Sequence, residues 1–460
     1  MFYPRSVAVV GASSRETQFT HGVLKGLREA DFPGPVYPVN PRLDELLGYK
    51  VYASVADIPG DIDLALVGVP MAAVMDVVHQ CGKKKVPAMV MFTSGFAELG
   101  GEGVDLERQL LETAHGYGMR FMGPNCFGLA SADSRLTYRD GVPLDPGRGG
   151  LICQSGSMAW SLALLAAEQG VYFGKTASIG NSADLDATDF LAYMGQDDRL
   201  DFICLYLEGL ADGRRFFEVL KEAGQRKPVI LWKAGRTPAG SRAAASHTAA
   251  LSGEAHVFRA AARQAGAFWA ENLDQTMDLI VGLSNMGVPA GRRIGVVSGP
   301  GAAGVATADA CEEQGLPLAK FEDETVATLR SFLPPFASPR NPVDLTAAIF
   351  DHMSLYTRAT EVVMADPNVD LVFILGPSEI EPELFGRQVA AQAETWPKPA
   401  LVPWIASTEA YETGAQSLRR AGIACYKDPA RAAWTVSQLL AYGEYRAARG
   451  LGPWGGVSRG

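Results

Sequence analysis

The hydrophobic and polar positions repeat one pattern three times along the chain. In each repeat, a short apolar run ends in small residues and is followed by a stretch with helical periodicity. The three apolar runs are residues 6–10, 150–153 and 294–297. Such runs are typical of the strand-to-helix turns of a parallel sheet. Another extended run follows each predicted helix, so each repeat is predicted to be a β–α–β unit.

The spacing of the repeats predicts the domain organisation. The predicted strands start at residues 7, 151 and 294, which are 144 and 143 residues apart. This spacing favours three α/β domains of similar size over one large sheet. Two polar segments rich in proline and glycine, 131–149 and 285–293, separate the repeats. We therefore predict doubly wound domains at residues 1–130, 149–285 and 291–449.

Composition and charge exclude several classes of protein. Of the 460 residues, 47% are hydrophobic and 20% are charged, as in a compact α/β protein. The net charge of −10 argues against nucleic-acid binding as the main activity. The longest apolar run, residues 64–75, is shorter than the roughly 20 residues of a membrane span. The six cysteines form no C-x-x-C pair, and no signal-peptide pattern opens the sequence, so we expect a cytoplasmic protein without a metal site.

The three strand-to-helix turns are candidate anion sites. Small residues let the backbone approach an anion, and the exposed N–H groups and the helix dipole favour negative charge there. In an open parallel sheet, ligands bind at the carboxyl ends of the strands. Compact turns are also needed by any doubly wound domain, so a single turn does not by itself establish a ligand.

A nicotinamide cofactor is one alternative. The first turn does not fit it, because Gly11 is not followed by the G-x-G-x-x-G spacing and Asn40 stands where a carboxylate is expected. The third turn does spell this fingerprint at residues 299–304, with Glu322 about 20 residues further on. Pro300, however, removes a backbone donor from that turn.

Two residues are candidates for phosphoryl chemistry. His247 stands among small residues in the segment 243–253, and imidazole is a good nucleophile near neutral pH. The alternative is a helix N-terminus capped by Ser246 with an incidental histidine. Glu208 ends the strand-like run 202–207, where a carboxylate can orient a histidine. Its alternatives are a solvated loop residue or the cap of the next helix.

In combination, the motifs resemble the α subunit of the nucleoside-diphosphate-forming acyl-CoA ligases, the ADP-forming acetate–CoA ligase group related to succinyl-CoA synthetase. The similarity extends from Tyr3 to about Tyr442. The motifs that carry it, in chain order, are Ser6–Ser13, Tyr37–Pro41, Gly123–Cys126, Gln154–Gly156, Gly180–Asn181 with Asp184 and Asp186, Tyr206–Gly209, Ser246–Thr248 and Asn341–Asp344.

The resemblance implies a CoA-binding Rossmann-like domain followed by two flavodoxin-like domains of the succinyl-CoA-synthetase type. It implies that acyl-CoA, phosphate and ADP are interconverted with a carboxylic acid, CoA and ATP through an acyl phosphate and a phosphohistidine. His247 would then carry the phosphoryl group and Glu208 would hold its imidazole. The implied phosphate contacts are Ser155, Gly156, Ser157, Gly299, Gly301 and Ala302. The implied contacts of coenzyme A are Gly11, Ser13, Ser14, Arg15, Asn40, Arg42, Thr93, Ser94 and Asn125.

The acyl group is expected near Trp160 and Asn181, and Trp160 is predicted to shorten or reshape the acyl pocket. The three domains leave no room for a nucleotide-binding ATP-grasp domain, so the Mg-nucleotide, ATP or ADP, is expected on a separate β subunit in an α2β2 assembly. Two positions depart from the family pattern, since Ala249 and the third turn at Pro300 more often carry other residues. A CoA-binding paralogue without turnover and an NAD-dependent dehydrogenase therefore stay open as alternatives.

Overall fold

The structure, a computed structural model, describes residues 1–248, 253–350 and 352–454, and it describes residues 244–248 by their backbone alone. The chain divides into two compact units, Met1–Glu271 and Asn272–Gly460. The first unit contains two large sheets and the second unit contains one.

The first sheet of the first unit is entirely parallel. Its first strand in the chain, which has a neighbour on each side, reads Val-Ala-Val-Val and is fully buried, as expected for a strand covered by helices on both faces. The strands are β1 (Val7–Val10), β2 (Val36–Val39), a small hairpin of β3 (Glu45–Leu46) and β4 (Tyr49–Lys50), β5 (Leu64–Val67), β6 (Ala88–Met91) and β7 (Arg120–Met122). The helices are α1 (Phe19–Glu29), α2 (Met71–Lys83) and α3 (Glu102–Gly116). The order in the large sheet is β2-β1-β5-β6-β7.

The second sheet of the first unit has six strands. They are β8 (Gly128–Ser131), β9 (Gly149–Cys153), β10 (Phe173–Ser178), β11 (Phe202–Leu207), β12 (Val229–Lys233) and β13 (Phe268–Ala270). The helices are α4 (Gly156–Glu168), α5 (Ala187–Gln196), α6 (Gly213–Arg226), α7 (Pro238–Thr248) and α8 (Ala255–Ala265). The order is β13-β12-β11-β9-β10-β8, and β8 pairs antiparallel with β10 at one edge.

The second unit is built on a five-stranded parallel sheet in the order β15-β14-β16-β17-β18. The strands are β14 (Ile294–Ser298), β15 (Val343–Asp344), β16 (Leu371–Leu375), β17 (Ala400–Pro403) and β18 (Ala424–Tyr426). The helices are α9 (Leu273–Asn285), α10 (Gly301–Glu313), α11 (Asp323–Phe332), α12 (Ser354–Ala365), α13 (Pro382–Gln392), α14 (Thr408–Arg420) and α15 (Pro429–Ala447). Short 3₁₀ helices at Val55–Asp57, Ala97–Leu99, Thr346–Phe350 and Ala393–Thr395 complete the described elements.

All three sheets share one topology. Counted within each sheet, the five parallel strands follow the order 2-1-3-4-5, which is a doubly wound arrangement of the flavodoxin type. The predicted three doubly wound α/β domains are thus confirmed. Strands β1, β9 and β14 are the first strands of their sheets, and the order reverses beside each of them. The three candidate turns follow these strands, so each lies where ligands bind in open α/β sheets.

Two elements do not group as the predicted domain limits of 130 and 285 imply. Strand β8 extends the second sheet, although most of it lies within the first predicted domain. Helix α9 groups with the second unit, because it packs against α15 and β18. Both groupings depend on packing between segments far apart in the chain, and local periodicity does not report such packing. The domain limits themselves stay a prediction.

Candidate functional site

A cavity of about 350 Å³ lies in the first unit, at the carboxyl end of β9. It brings one predicted CoA contact, Asn125, together with the three predicted phosphate contacts at the start of α4. The residues that line it are Phe19, Phe92, Asn125, Cys126, Phe127, Gln154, Ser155, Gly156, Ser157 and Gly180. The cavity therefore has polar backbone and side-chain groups at one end and aromatic rings around them.

The N-terminus of α4 supplies the donors of this cavity. Ser155 caps the helix, and its Oγ accepts a hydrogen bond from the Met158 N–H at 3.3 Å. The N–H groups of Gly156 and Ser157 donate to no acceptor within the described part of the chain. A Cβ on Gly156 would lie 2.2 Å from the Phe127 ring, so any other residue would displace the ring or the start of the helix. Two unused N–H groups at a positive helix end suit an anion such as phosphate.

Glu208 is held next to this cavity through its own main chain. Its side chain is buried, and Gln154 Oε1 accepts the N–H of Glu208 and, at 3.0 Å, that of Gly209. On the other side, Lys233 Nζ donates to the Glu208 carbonyl oxygen at 2.7 Å. Glu208 Oε2 is buried and has no hydrogen-bond partner among the described residues. A fixed carboxylate with an unused oxygen can accept a hydrogen bond from an imidazole N–H.

Both alternatives for Glu208 are wrong. The residue is 5% exposed and is therefore not a solvated loop residue. Helix α6, the next helix, is capped by Asp212, whose carboxylate accepts the N–H groups of Arg214 and Arg215.

Burial changes the proton affinities around Glu208. It lowers the pKa of Lys233 to about 8, an effect that the nearby Glu208 charge partly opposes. Burial, with a smaller contribution from Glu208, raises the pKa of Tyr206 to about 12. The carboxyl ends of β11 and β12 thus form a region poorly accessible to water, where charges interact strongly.

Helix α7 contains the predicted phosphohistidine motif. Its backbone is helical from Pro238 to Thr248, so Ser246 and His247 lie within the helix and far from its N-terminus. The alternative in which Ser246 caps a helix N-terminus is therefore wrong, and the alanines at 243–245 explain the helix because alanine has the highest helix propensity. The imidazole of His247 and the whole of Ala249 lie outside the described residues. Helix α7 packs against the 3₁₀ helix Ala97–Leu99, which follows the predicted CoA contacts Thr93 and Ser94.

The first turn of the chain is held by two side chains. Gly11 has a φ of +87°, and a Cβ there would lie 2.3 Å from the Gly68 carbonyl oxygen. Asn40 Nδ2 donates to the Ala12 carbonyl at 2.7 Å, and its Oδ1 accepts the Arg42 N–H at 2.8 Å. The His21 Nδ1 lies 2.9 Å from the Ser13 carbonyl oxygen. The structure thus brings together the predicted CoA contacts at 11–13 and 40–42.

The other predicted CoA contacts divide into exposed and anchored side chains. Thr93 Oγ1 donates to the Val69 carbonyl at 2.7 Å, and the Thr93 carbonyl accepts the Asn125 N–H at 3.0 Å. This pair connects the loop after β6 to the cavity. The side chains of Ser14, Arg15, Arg42 and Ser94 are exposed.

Asn181, predicted near the substrate, joins the two sheets of the first unit. Its Nδ2 donates to Glu98 Oε2 at 2.6 Å and to Glu107 Oε2 at 2.9 Å, and its Oδ1 accepts from Asn125 Nδ2 at 3.3 Å. Burial raises the pKa of Glu107, and the Asn181 hydrogen bond opposes that change. Both amide hydrogens are thus used in positioning. A direct contact with substrate stays a prediction.

Trp160, the other residue predicted to contact substrate, is not among the described residues that line the cavity. The Arg139 guanidinium lies over its ring at 3.8 Å from the centroid. The Trp160 side chain therefore packs against the connector between the two predicted domains, and its influence on the acyl group stays a prediction.

In the third turn, which lies in the second unit, a side chain of the same domain already accepts one of the backbone N–H groups. The Gly299 N–H donates to the buried Tyr356 hydroxyl at 2.9 Å, and no side chain caps α10 at Pro300. A Cβ on Gly301 would lie 2.9 Å from Asp344 Oδ2. The N–H groups of Gly301 and Ala302 have no acceptor among the described residues. Two of the three predicted phosphate contacts here therefore keep a usable donor.

The structure adds residues that sequence reasoning missed. The Phe19 ring packs at 4.9 Å from Phe92 and at 5.0 Å from Phe127, forming the aromatic wall of the cavity. No local pattern identifies them, because each comes from a different segment and resembles an ordinary core residue. A signal for Lys233 was present, since it follows the apolar run 229–232 as Glu208 follows the run 202–207, but no prediction was based on it.

Within the described part of the chain, the structure supports neither a metal-ion site nor a membrane-spanning helix. Within the described residues, no three or more His, Cys, Asp or Glu side chains are grouped to hold a metal ion. None of the described helices combines the length and apolarity that crossing a bilayer requires.

Comparisons with known proteins identify the family. Residues 5–132 match the family described as CoA binding domain, residues 146–283 the succinyl-CoA ligase like flavodoxin domain, and residues 294–452 the Ligase-CoA domain. The α subunit of acetate–CoA ligase [ADP-forming] II of Pyrococcus furiosus is 40% identical over 374 residues, or 81% of each chain. The α subunit of enzyme I from the same organism is 36% identical over 97% of this chain and 98% of that one.

A solved structure agrees. The dinucleotide forming acetyl-coenzyme A synthetase 1 of Ca. Korarchaeum cryptofilum, in complex with phosphate and ADP, superposes with a TM-score of 0.89 at 35% identity and covers 98% of both chains. Three matching domains in the same order, and relatives of similar length, leave one assignment. The chain belongs to the family of ADP-forming acetate–CoA ligase α subunits, whose domains are of the succinyl-CoA ligase type.

Proposed function

We propose that the chain is the α subunit of an ADP-forming acyl-CoA synthetase. It interconverts acyl-CoA, phosphate and ADP with a carboxylic acid, CoA and ATP. The observation that carries this proposal is the cavity at the start of α4, because Asn125 and the Ser155–Ser157 turn line the same space. A thioester and a phosphate ion must meet for the first step, and a single cavity with free N–H donors beside aromatic rings suits both.

The chemistry follows in two steps within this chain. A phosphate oxygen attacks the thioester carbonyl carbon, the C–S bond breaks, and the CoA thiolate leaves with a proton to form the thiol. His247 then attacks the phosphorus of the acyl phosphate, the P–O bond to the acyl group breaks, and a carboxylate leaves. The N–H groups of Gly156 and Ser157 hold the phosphoryl oxygens, and Glu208 fixes the imidazole through its unused oxygen.

The polyanionic end of CoA is assigned to the first turn. Gly11, Ser13 and Asn40 form a compact backbone surface, and the exposed Arg15 and Arg42 add positive charge in a chain of net charge −10. A family match described as CoA binding domain over residues 5–132 supports this assignment.

The second phosphate-binding terminus is proposed at α10, through Gly301 and Ala302 with Gly299 beside them. The phosphoryl group leaves His247 for ADP on a second protein. We propose that this partner is a β subunit with an ATP-grasp domain, that the assembly is α2β2, and that it works in the cytoplasm. The α-subunit names of the two Pyrococcus relatives support a separate partner chain.

Labelled phosphate tests the function. The purified chain is incubated with acetyl-CoA and radioactive phosphate, and we expect an acid-labile, base-stable label that peptide mapping assigns to His247. The matched control is His247→Gln, which should remain unlabelled while binding CoA as the wild type does. Equal labelling of the wild type and the variant would contradict the proposal.

A CoA-binding paralogue is the second candidate. The observation in its favour is the third turn, where Tyr356 takes the Gly299 donor and the Asp344 carboxylate lies close to Gly301. Saturable CoA binding without any label on His247, even with an ATP-grasp partner and ADP supplied, would favour this candidate. Saturable NAD binding without affinity for CoA would instead favour a dehydrogenase.

A further inference from the structure

Lys233 has an unusual position for a lysine. It is the last residue of β12, its side chain is completely buried, and the Phe258 ring lies 5.2 Å from its Nζ. Its ammonium group donates to two main-chain carbonyl oxygens, those of Glu208 and Ala234. Burying an ammonium group is costly, so a lysine in this position requires an explanation beyond packing.

A second buried lysine, Lys227, lies just before the start of β12 and offers a comparison. Lys227 precedes the strand, and its Nζ donates to the carbonyl oxygens of Met194, Asp197 and Leu200, at and beyond the end of α5. Those acceptors include the orphan carbonyls of a helix C-terminus, so Lys227 has a structural task. Lys233 lies at the opposite end of the same strand, at the edge of the sheet that carries Gln154 and Glu208.

The main chain at Glu208 is clamped from both sides. Gln154 Oε1 accepts its N–H, and Lys233 Nζ donates to its carbonyl at 2.7 Å. The two side chains come from the ends of β9 and β12, which flank β11 in the sheet. Neither one occupies the Glu208 carboxylate, whose Oε2 keeps no partner among the described residues. The clamp thus fixes the backbone and leaves the carboxylate available.

We propose that Lys233 is a positioning residue for phosphoryl transfer. It fixes the Glu208 turn, and its ammonium charge compensates the negative charge that builds up when a phosphoryl group approaches Glu208. This inference rests on the proposed function. Without the ammonium, a buried carboxylate and a phosphoryl dianion would repel each other in a region of low dielectric. Burial lowers the pKa of Lys233 to about 8, and the nearby Glu208 charge opposes that change, as expected for an ammonium group that faces a carboxylate.

The test compares Lys233→Met, Lys233→Arg and Lys227→Met in the full chain, with its partner subunit present. Methionine is one atom shorter and loses the charge, whereas arginine keeps the charge. We expect Lys233→Met to lower the rate of His247 labelling by more than tenfold while the dissociation constant for CoA changes less than twofold. Lys233→Arg should recover part of that rate. Lys227→Met should label within about twofold of the wild type per folded molecule.

Lys233→Ala adds a measurement that should not change if the role of Lys233 is purely structural. The truncated side chain leaves room for a small amine, so ethylamine should raise the labelling rate of this variant and leave the wild type unchanged. Labelling of Lys233→Met within threefold of the wild type would overturn the proposal. Equal losses in Lys233→Met and Lys227→Met, or a Lys233→Ala variant insensitive to ethylamine, would also overturn it. A wild-type chain that is never labelled would contradict the proposed function, and this role with it.

Discussion

The turn after β9 and the turn after β14 share a design and differ in their surroundings. Both follow the first strand of a doubly wound sheet, and both start a helix with two unused N–H groups. The turn after β9 opens into a cavity of about 350 Å³, and its helix is capped by Ser155. The turn after β14 has no side-chain cap, its Gly299 N–H donates to Tyr356, and Asp344 lies near Gly301.

This difference shows what a glycine-rich turn does and does not indicate about ligand binding. Glycines let a backbone approach another group closely, but that group can be a ligand or a side chain of the same domain. At Gly299, the group is the Tyr356 hydroxyl, since a Cβ there would lie 2.3 Å from it. The better G-x-G-x-x-G match thus belongs to the turn whose first glycine donates its N–H to a side chain of its own domain.

Glycine-to-alanine substitutions at the two turns should give the largest contrast. In Gly156→Ala, the new methyl group would lie 2.2 Å from the Phe127 ring, so the ring or the helix start must move. A shift of about 1 Å at a phosphate-holding turn can cost on the order of 100-fold in rate. In Gly301→Ala, the close atom is the end of the Asp344 side chain, which can rotate away. We expect a loss of several-fold at most, measured as the rate of His247 labelling.

A double variant controls for this contrast. Gly156→Ala combined with Phe127→Ala removes the ring that the methyl group meets, and it should recover a measurable part of the labelling rate. Equal losses in Gly156→Ala and Gly301→Ala would show that the two turns do not differ in the way their surroundings indicate.

The sequence predicted the framework better than the site. The three sheets follow from apolar runs that end in small residues, since buried parallel strands produce that local pattern. Glu208 was placed correctly at the end of a buried strand by the carboxyl-end rule. The cavity wall was not predictable, because Phe19, Phe92 and Phe127 meet only through the packing of separate segments. The occupation of the third turn by Tyr356 is likewise a contact between segments 57 residues apart.

The protonation of Lys233, which is buried beside Glu208, should make the stability of the protein depend on pH. Burial lowers the pKa of Lys233 in the folded chain to about 8, from the ordinary value of 10.5 that we expect in the unfolded chain. Between these values the unfolded state binds more protons, so the free energy of unfolding should rise with pH, by at most about 3 kcal/mol. Glu208, which follows β11, and the Phe258 ring from α8 face the ammonium.

The measurement is urea unfolding of the wild type and of Lys233→Met between pH 7 and pH 10. The difference between the two curves cancels tyrosine and cysteine titrations and should show the rise in the wild type alone. If Lys233 supports phosphoryl transfer, the labelling rate of the wild type should fall over the same range in which its stability rises. Parallel stability curves for the two proteins would contradict the lowered pKa of Lys233.

Removal of the helix cap should have the smallest effect. Ser155→Ala deletes the oxygen that accepts the Met158 N–H, which should lower stability by about 1 kcal/mol. Ser407→Ala is a matched control, because Ser407 caps α14 and accepts the Ala410 N–H at the same distance of 3.3 Å. Both variants lose a cap, but only the first lies at the cavity. We expect a several-fold increase in the KM for phosphate in Ser155→Ala and no change in Ser407→Ala. An unchanged KM in both would mean that Ser155 only starts the helix, and that the N–H groups of Gly156 and Ser157 hold the phosphate without it.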